Sequence, residues 1–352
     1  MNDRKPETNV DSPMRVGIYK DTLANRRGAD MAVCALAEGL RERGLDAVLF
    51  EKTDLSRRIA ERWDVFISTG TSELLDISAS FPRKFPWPVI QQFHTNPRAQ
   101  FKRKHMFRNW MSKRALRRVN AIQVLGAEFV PQAAEWCADV EVIGNWSSFS
   151  PLTATEDAEN LIIYPAAFAK GKNQKLLIEA FALLAAEFPK WRVRLLGKAG
   201  CRYAEECRKL AVRMGISDRV GFPGFSDSLA SEYARCAFVA FPSVDEGFGL
   251  AIADAAVFGK PCVMVRDWIG TATAGGGIVT KPSAAEYAGG LRRLMSDASL
   301  GREMGCRARR FCGTSYSRDE ILDRWVSLIF KVATASGGEN MVKYRADVQD
   351  RI

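Results

Sequence analysis

Ala237-Phe238-Val239-Ala240-Phe241, then Pro242-Ser243-Val244-Asp245-Glu246-Gly247-Phe248-Gly249, then Leu250-Ala251-Ile252-Ala253-Asp254-Ala255-Ala256, closing on Gly259-Lys260-Pro261: strand, loop and helix follow one another here. The first five residues are a continuous apolar run of the length expected for a buried parallel strand, and the glycines behind it permit a tight turn. Leu250 to Phe258 has helical periodicity and stops at Gly259. A helix that starts directly after such a loop offers unpaired N–H groups and the positive end of its dipole, which suits a phosphate. Glu246 stands just outside that helix start and Asp254 within its second turn. Amides for an anion beside acids for hydroxyls are the chemistry of a sugar-nucleotide site.

Outward from this stretch, the chain from Arg15 alternates apolar strand-like runs with amphipathic helical ones, the pattern of a parallel sheet covered by helices on both faces. In the first half the strands read as Val16–Tyr19, Asp46–Phe50, Val65–Ser68, Val89–Phe93, Ala121–Leu125 and Val140–Ile143. Helices read near Ala29–Arg43, Phe101–Arg118 and Ala127–Cys137. The polar stretch around 151–160 looks like a linker, after which the pattern restarts with strands Leu161–Tyr164, Arg192–Leu196, Val220–Phe222 and Ala237–Phe241. Two doubly wound Rossmann-like domains are therefore expected, 14–150 and 161–316, with a polar, disordered 1–13 before them. A helical segment at 317–335 and a charged, loosely ordered 336–352 follow.

At 352 residues two cores are the natural expectation. Lysine and arginine number 51 against 41 acids, a formal charge of +10, which favours anionic partners such as nucleotide phosphates, acidic lipids or nucleic acid. The eight cysteines show no Cys-x-x-Cys pair and no zinc-ligand spacing, so reduced thiols of a cytoplasmic protein are expected. The N-terminus lacks a signal-peptide core and no stretch is long and apolar enough to span a bilayer, so the chain reads as soluble or peripheral.

The Glu246 to Asp254 element resembles the Glu-x7-Glu motif of the family 4 retaining glycosyltransferases, with an aspartate at the second acid. The resemblance implies a GT-B fold, the first domain holding the acceptor and the second a nucleoside diphosphate sugar, with the late helix crossing back to the first domain. It implies that Glu246 contacts donor sugar hydroxyls, that the amides of Gly247, Phe248, Gly249 and Leu250 hold the diphosphate, and that Asp254 contacts the ribose. Lys170-Gly171-Lys172 resembles the family's Gly-Arg-x-x-x-x-Lys segment, in which cations neutralise the departing diphosphate. Lys172 keeps the lysine, Ala167 stands at the arginine position, and Lys170 is a candidate replacement. His94, at the end of Val89–Phe93, matches a family histidine near the anomeric centre. Gly197 and Phe225 fall where the family holds the nucleobase, and Arg27-Gly28 matches its glycine loop, facing phosphate or acceptor.

Between Arg98 and Arg118 stand nine cations and no acid, among them Lys102, Arg103, Lys104, Arg108, Lys113, Arg114, Arg117 and Arg118, interleaved with Phe101, Met106, Phe107, Trp110 and Met111. Such a basic amphipathic helix suits an anionic membrane surface, nucleic acid, or simply a solvated face over domain packing. The expectation is a metal-independent, cofactor-free retaining glycosyltransferase of the hexosyltransferase type acting on a glycan or lipid-linked acceptor in envelope polysaccharide or glycolipid synthesis. It would be cytoplasmic and peripheral at the inner membrane face. The competing readings are a nucleotide-sugar-binding partner without turnover, suggested by Ala167 and Asp254, and a basic nucleic-acid-binding protein.

Overall fold

The computed structural model describes residues 13–24, 28–101, 105–147, 149, 158–226 and 228–335, with the side chains of 98 and 99 left aside. Arg27, Lys102, Arg103 and Lys104, the expected linker at 151–157, and the expected disordered ends 1–12 and 336–352 lie outside the described residues. The chain divides into two compact units, one of 1–144 with 321–352 and one of 145–320.

The first unit runs β1 (Arg15–Tyr19), α1 (Gly28–Glu42), β2 (Asp46–Phe50), α2 (Leu55–Arg58), β3 (Val65–Ser68), α3 (Thr71–Ser80), β4 (Val89–Gln92), α4 (Met106–Leu116), β5 (Ala121–Val124), α5 (Val130–Ala133) and β6 (Val140–Val142). All strands pair in parallel, in the order β2-β1-β3-β4-β5-β6. β3, β4 and β5 are buried along their whole length, which is why they read as mostly apolar runs, with Ser68, Gln91, Gln92 and Gln123 as their polar positions. Tyr19, Phe50, Trp63, Phe66 and Trp87 stack in one aromatic core. The helix expected over 127–137 is instead a 3-10 turn followed by the four-residue α5, because Pro131 can enter only at a helix start. α2 and α3 had no counterpart in the sequence reading.

The second unit runs β7 (Leu161–Pro165), α6 (Gln174–Leu184), β8 (Arg192–Leu196), α7 (Arg202–Arg213), β9 (Val220–Gly224), α8 (Leu229–Arg235), β10 (Phe238–Phe241), α9 (Leu250–Val257), β11 (Cys262–Met264), β12 (Gly277–Val279), α10 (Ala284–Ser296) and α11 (Ala298–Ser315). Its parallel sheet has the order β12-β11-β10-β7-β8-β9, the Rossmann arrangement. Ser147 and Phe149 already pack here, the ring of Phe149 against Tyr233 and Phe258, so this unit begins ahead of position 151. α12 (Arg318–Ala335) starts in the second unit, and from Ile321 on it groups with the first. The two sheets are the two doubly wound α/β domains that the strand pattern predicted, in the GT-B class that the resemblance implies. Among the described residues no helix is long and apolar enough to cross a membrane.

Candidate functional site

In an open parallel sheet, ligands bind beyond the carboxyl ends of the strands at the point where strand order reverses. In the second unit that point lies between β7 and β10, the two central strands. The loop after β7 carries Lys172 and the loop after β10 carries Glu246. Lys172 Nζ lies 2.6 Å from both Glu246 carboxylate oxygens, a two-pronged ion pair between residues 74 positions apart. The loops are stitched to one another below it. Val244 N donates to Gly171 O at 2.9 Å, the buried Ser243 hydroxyl lies 3.1 Å from the same carbonyl, and Tyr164 donates to Lys172 O at 2.8 Å. Asn173 sits at φ 54°, a left-handed turn asparagine tolerates, and aims the chain into α6.

Gly249 supplies the turn into α9 at φ 96°, where any side chain would be strained and a Cβ would stand 3.1 Å from Ile252. No side chain caps the start of α9, so its first amides are open toward a ligand. Phe248 lends this loop a backbone amide only. Its ring is buried, edge-on to Tyr316 at 5.1 Å, and anchors the loop instead of facing the site.

Asp254, expected by resemblance to contact the ribose, is buried among hydroxyls of its own unit. Its carboxylate accepts a hydrogen bond from Ser147 Oγ at 2.7 Å and neighbours the Tyr233 hydroxyl. Burial pushes its pKa up to about 6, against the lowering effect of those two hydroxyls. The structure therefore gives this acid partners within its own unit, and no contact in the described residues brings it to Lys172 or Glu246.

Gly197 has a packing reason to be glycine. A Cβ there would stand 2.3 Å from the carbonyl oxygen of Ala166, where β7 and β8 end side by side. Phe225, expected beside the nucleobase, is 79 % exposed in the loop after β9. Lys170 is also exposed, and Gln174 Nε2 reaches Ala167 O at 3.0 Å, so the loop keeps its shape with alanine at that position.

The first unit has its own reversal point, between β1 and β3. A cavity of about 240 Å³ opens there, lined by residues that include Lys20, Asp21, Asp30, Glu73 and His94. His94 stands where the sequence placed it, just past β4. Both of its ring nitrogens are shut off from solvent without a hydrogen-bond partner, and burial, aided by the charge of Lys20, pushes its pKa down to about 4. Gly28 is the first residue of α1, and Ala29 and Asp30 behind it line the same cavity. The sequence reading missed Glu73. Its one signal was a buried acid placed three residues after the glycine that follows a buried strand.

The basic helix differs from its expected form. α4 covers 106–116 and buries only Ser112, Ala115 and Leu116, while Met106, Phe107, Trp110 and Met111 are exposed, Phe107 at 73 %. Arg108, Lys113, Arg114 and Arg117 are exposed with them. Arg118 does not belong to that surface: its guanidinium lies over the Phe85 ring at 4.3 Å and donates to Phe81 O.

Residues 150–311 match the family described as glycosyl transferases group 1. The chain is 28 % identical over 192 residues to an exopolysaccharide phosphotransferase of Streptomyces coelicolor, covering 53 % of this chain and 20 % of that protein. It is 33 % identical over 152 residues to a D-inositol 3-phosphate glycosyltransferase of Streptomyces bingchenggensis, covering 38 % and 32 %. The chain thus spans a third or less of the length of these two curated relatives. Among solved structures it resembles HepE of Anabaena, solved with UDP and glucose, with a TM-score of 0.73 at 18 % identity over 90 % of this chain and 99 % of that one.

Proposed function

We propose that this chain, whose second unit carries the group 1 glycosyl transferase module, is a retaining, metal-independent hexosyltransferase. It would move a sugar from a nucleoside diphosphate sugar to a glycan or lipid-linked acceptor in polysaccharide or glycoconjugate synthesis. The observation that carries this reading is the Lys172–Glu246 pair at the strand-order reversal of the second unit, beside the uncapped start of α9. In the free protein the two charges neutralise one another. A bound donor would replace that pair with two better matched ones, Lys172 with the diphosphate and Glu246 with sugar hydroxyls, while the α9 amides take the remaining phosphate oxygens. A cation on the departing diphosphate lowers the barrier most, since stabilising developing charge is the largest catalytic contribution in such reactions.

Glu246→Ala is expected to fold normally and lose transfer by about 100-fold or more, the scale of removing one preorganised polar contact to a reacting group. Full activity in that variant overturns the assignment. Thermal stabilisation by UDP-, GDP- or ADP-sugars identifies the base, because a ligand that binds only the native state raises its stability. Activity unchanged by EDTA is the outcome expected of a metal-independent enzyme.

The exposed face of α4 supports a second element of this reading, docking on an anionic membrane surface where a lipid-linked acceptor would be met. Phe107 and Trp110 would enter the headgroup region with Arg108, Lys113, Arg114 and Arg117 above the phosphates, each cation adding about 1 kcal/mol. Phe107→Ala with Trp110→Ala should release the protein from phosphatidylglycerol vesicles in sedimentation. Unchanged vesicle binding, or oligonucleotide binding in its place, counts against it.

A further inference from the structure

Lys172 is the cation that the loop after β7 brings to the second unit's site, and in the free protein Glu246 neutralises it. A diphosphate carries more than one negative charge, so a further cation beside the open amides of α9 would match it. Ala167 supplies none. Lys170 acts elsewhere: Glu206 of α7 is held below the usual carboxylate range by its hydrogen bond from Lys175, with the charges of Lys175, Arg202 and Lys170 adding to it. The loop after β11 brings a different cation. β10 and β11 end in register, Phe241 beside Met264, so the chain leaving β11 runs alongside the loop that carries Glu246 into α9. Two residues further on stands Arg266, exposed and with no acid paired to it among the described residues. Its guanidinium lies 4.8 Å from the centroid of the Trp268 ring. Trp268 is buried against the turn into α9, its Cβ 3.5 Å from where a Cβ on Gly249 would stand. The loop is also tied down. Asp267 accepts from Ala272 N at 3.2 Å, Thr273 N at 2.7 Å and Thr273 Oγ1 at 2.9 Å. Tyr316, whose ring meets Phe248 edge-on, donates to Ile269 O at 3.1 Å, so one aromatic residue anchors the loops on both sides of α9.

An arginine stacked on an indole keeps its donor edge free, and its planar fork matches two phosphate oxygens at once with less ordering left to do on binding. We propose that Arg266 is a diphosphate-binding residue of this chain, meeting the departing phosphates from the β11 side of α9 while Lys172 meets them from the β7 side. The assignment rests on the nucleotide-sugar reading above. It gives to the β11 loop the charge that Ala167 lacks, at a position that no local motif marks.

The test is a saturation-transfer NMR titration of the full chain with UDP, GDP, ADP, CDP and dTDP, followed by the parent nucleoside of whichever diphosphate binds best. Wild type, Arg266→Gln, Arg266→Lys and Lys198→Gln are compared. Lys198, exposed in the loop after β8, is the competing cation. Arg266→Gln should weaken the diphosphate about tenfold or more, the scale of one hydrogen bond to a charged group. Arg266→Lys should recover part of that loss, and Lys198→Gln should change little. The nucleoside, which carries no phosphate, should bind all of these proteins alike. Because Arg266 is exposed, its replacement leaves the core intact. Diphosphate binding untouched in Arg266→Gln, an equal loss for the nucleoside, or a loss found in Lys198→Gln instead overturns the assignment and leaves the glycosyltransferase reading in place. A wild type that binds none of these nucleotides removes that reading, and the role of Arg266 with it.

Discussion

Asp254, the shorter acid at the second position of the motif, is the buried carboxylate of the second unit whose titration the structure perturbs most. A carboxylate one carbon shorter stays near its helix, and here it is met by Ser147 Oγ and the Tyr233 hydroxyl. Its pKa is raised from 3.8 to about 6 because burial penalises the charged form more than those two hydroxyls favour it. An acid whose folded pKa lies above its unfolded one contributes stability that is fully present below the unfolded value and is lost as pH rises through the folded value. Wild-type stability should therefore fall between pH 4 and 6 by up to about 3 kcal/mol from this group. Asp254→Asn should remove that slope and leave the protein more stable than wild type at pH 7, read by urea melts across pH 4 to 8. Parallel pH profiles of the two proteins would show that the carboxylate is solvated and free to serve a ligand. Of the acids that matter, Glu246 was legible because it sits inside a local strand, turn and helix signature. Glu73 and Asp21 were not recognised, since their cavity is assembled from chain segments about 50 residues apart, and no local pattern records which loops meet.

At the scale of elements, the strands were legible and several helices were not, for one physical reason. A strand buried on both faces must be apolar throughout, so β3, β7 and β10 announce themselves as runs. A short helix on a sheet needs only a few buried positions. α3 buries Leu74 and Ile77 together with Glu73, and an acid on the buried face breaks the periodicity that would have revealed it. For α4 the sequence left an exposed basic face and a face packed on the domain both open, and the structure leaves Met106, Phe107, Trp110 and Met111 in solvent. Glycines also carry element-scale information. Gly197, placed by resemblance near the nucleobase, lets the ends of β7 and β8 approach within a distance no Cβ permits, and the opposing atom is a backbone carbonyl that cannot swing away. Gly197→Ala should destabilise the second unit by about 2 kcal/mol or more through a forced backbone shift. A melting temperature unchanged by the substitution, with donor binding lost, would restore the ligand role and dismiss the packing one.

At the scale of the molecule, the order of the chain and the membership of the units disagree at the C-terminus, and the packing explains why. Residues 321 onward follow the second unit in sequence but group with the first. Leu322 fills the space beside Gly39 of α1 so fully that a Cβ on that glycine would stand 2.5 Å from it. Arg324 donates to Val142 O, and Lys331 pairs with Asp139 at 2.6 Å and Glu141 at 2.9 Å at the β6 edge. Ile321, Leu322, Trp325, Leu328 and Ile329 are all buried, so the apolar stripe visible in the sequence is the face that closes the first unit. The exposed ion pairs contribute little compared with this burial. Trp325, 2 % exposed, is its largest side chain, and Trp325→Ala should cost about 3–5 kcal/mol by leaving a cavity the helix cannot collapse into. Because the damage lies in the first unit, hydrogen exchange should accelerate at the amides of β1, β2 and β6 before those of β7 and β10, which distinguishes a local loss from global unfolding. Equal acceleration in both sheets would mean that the helix supports the two units alike. Protection retained throughout would mean that the first unit's stability does not depend on it.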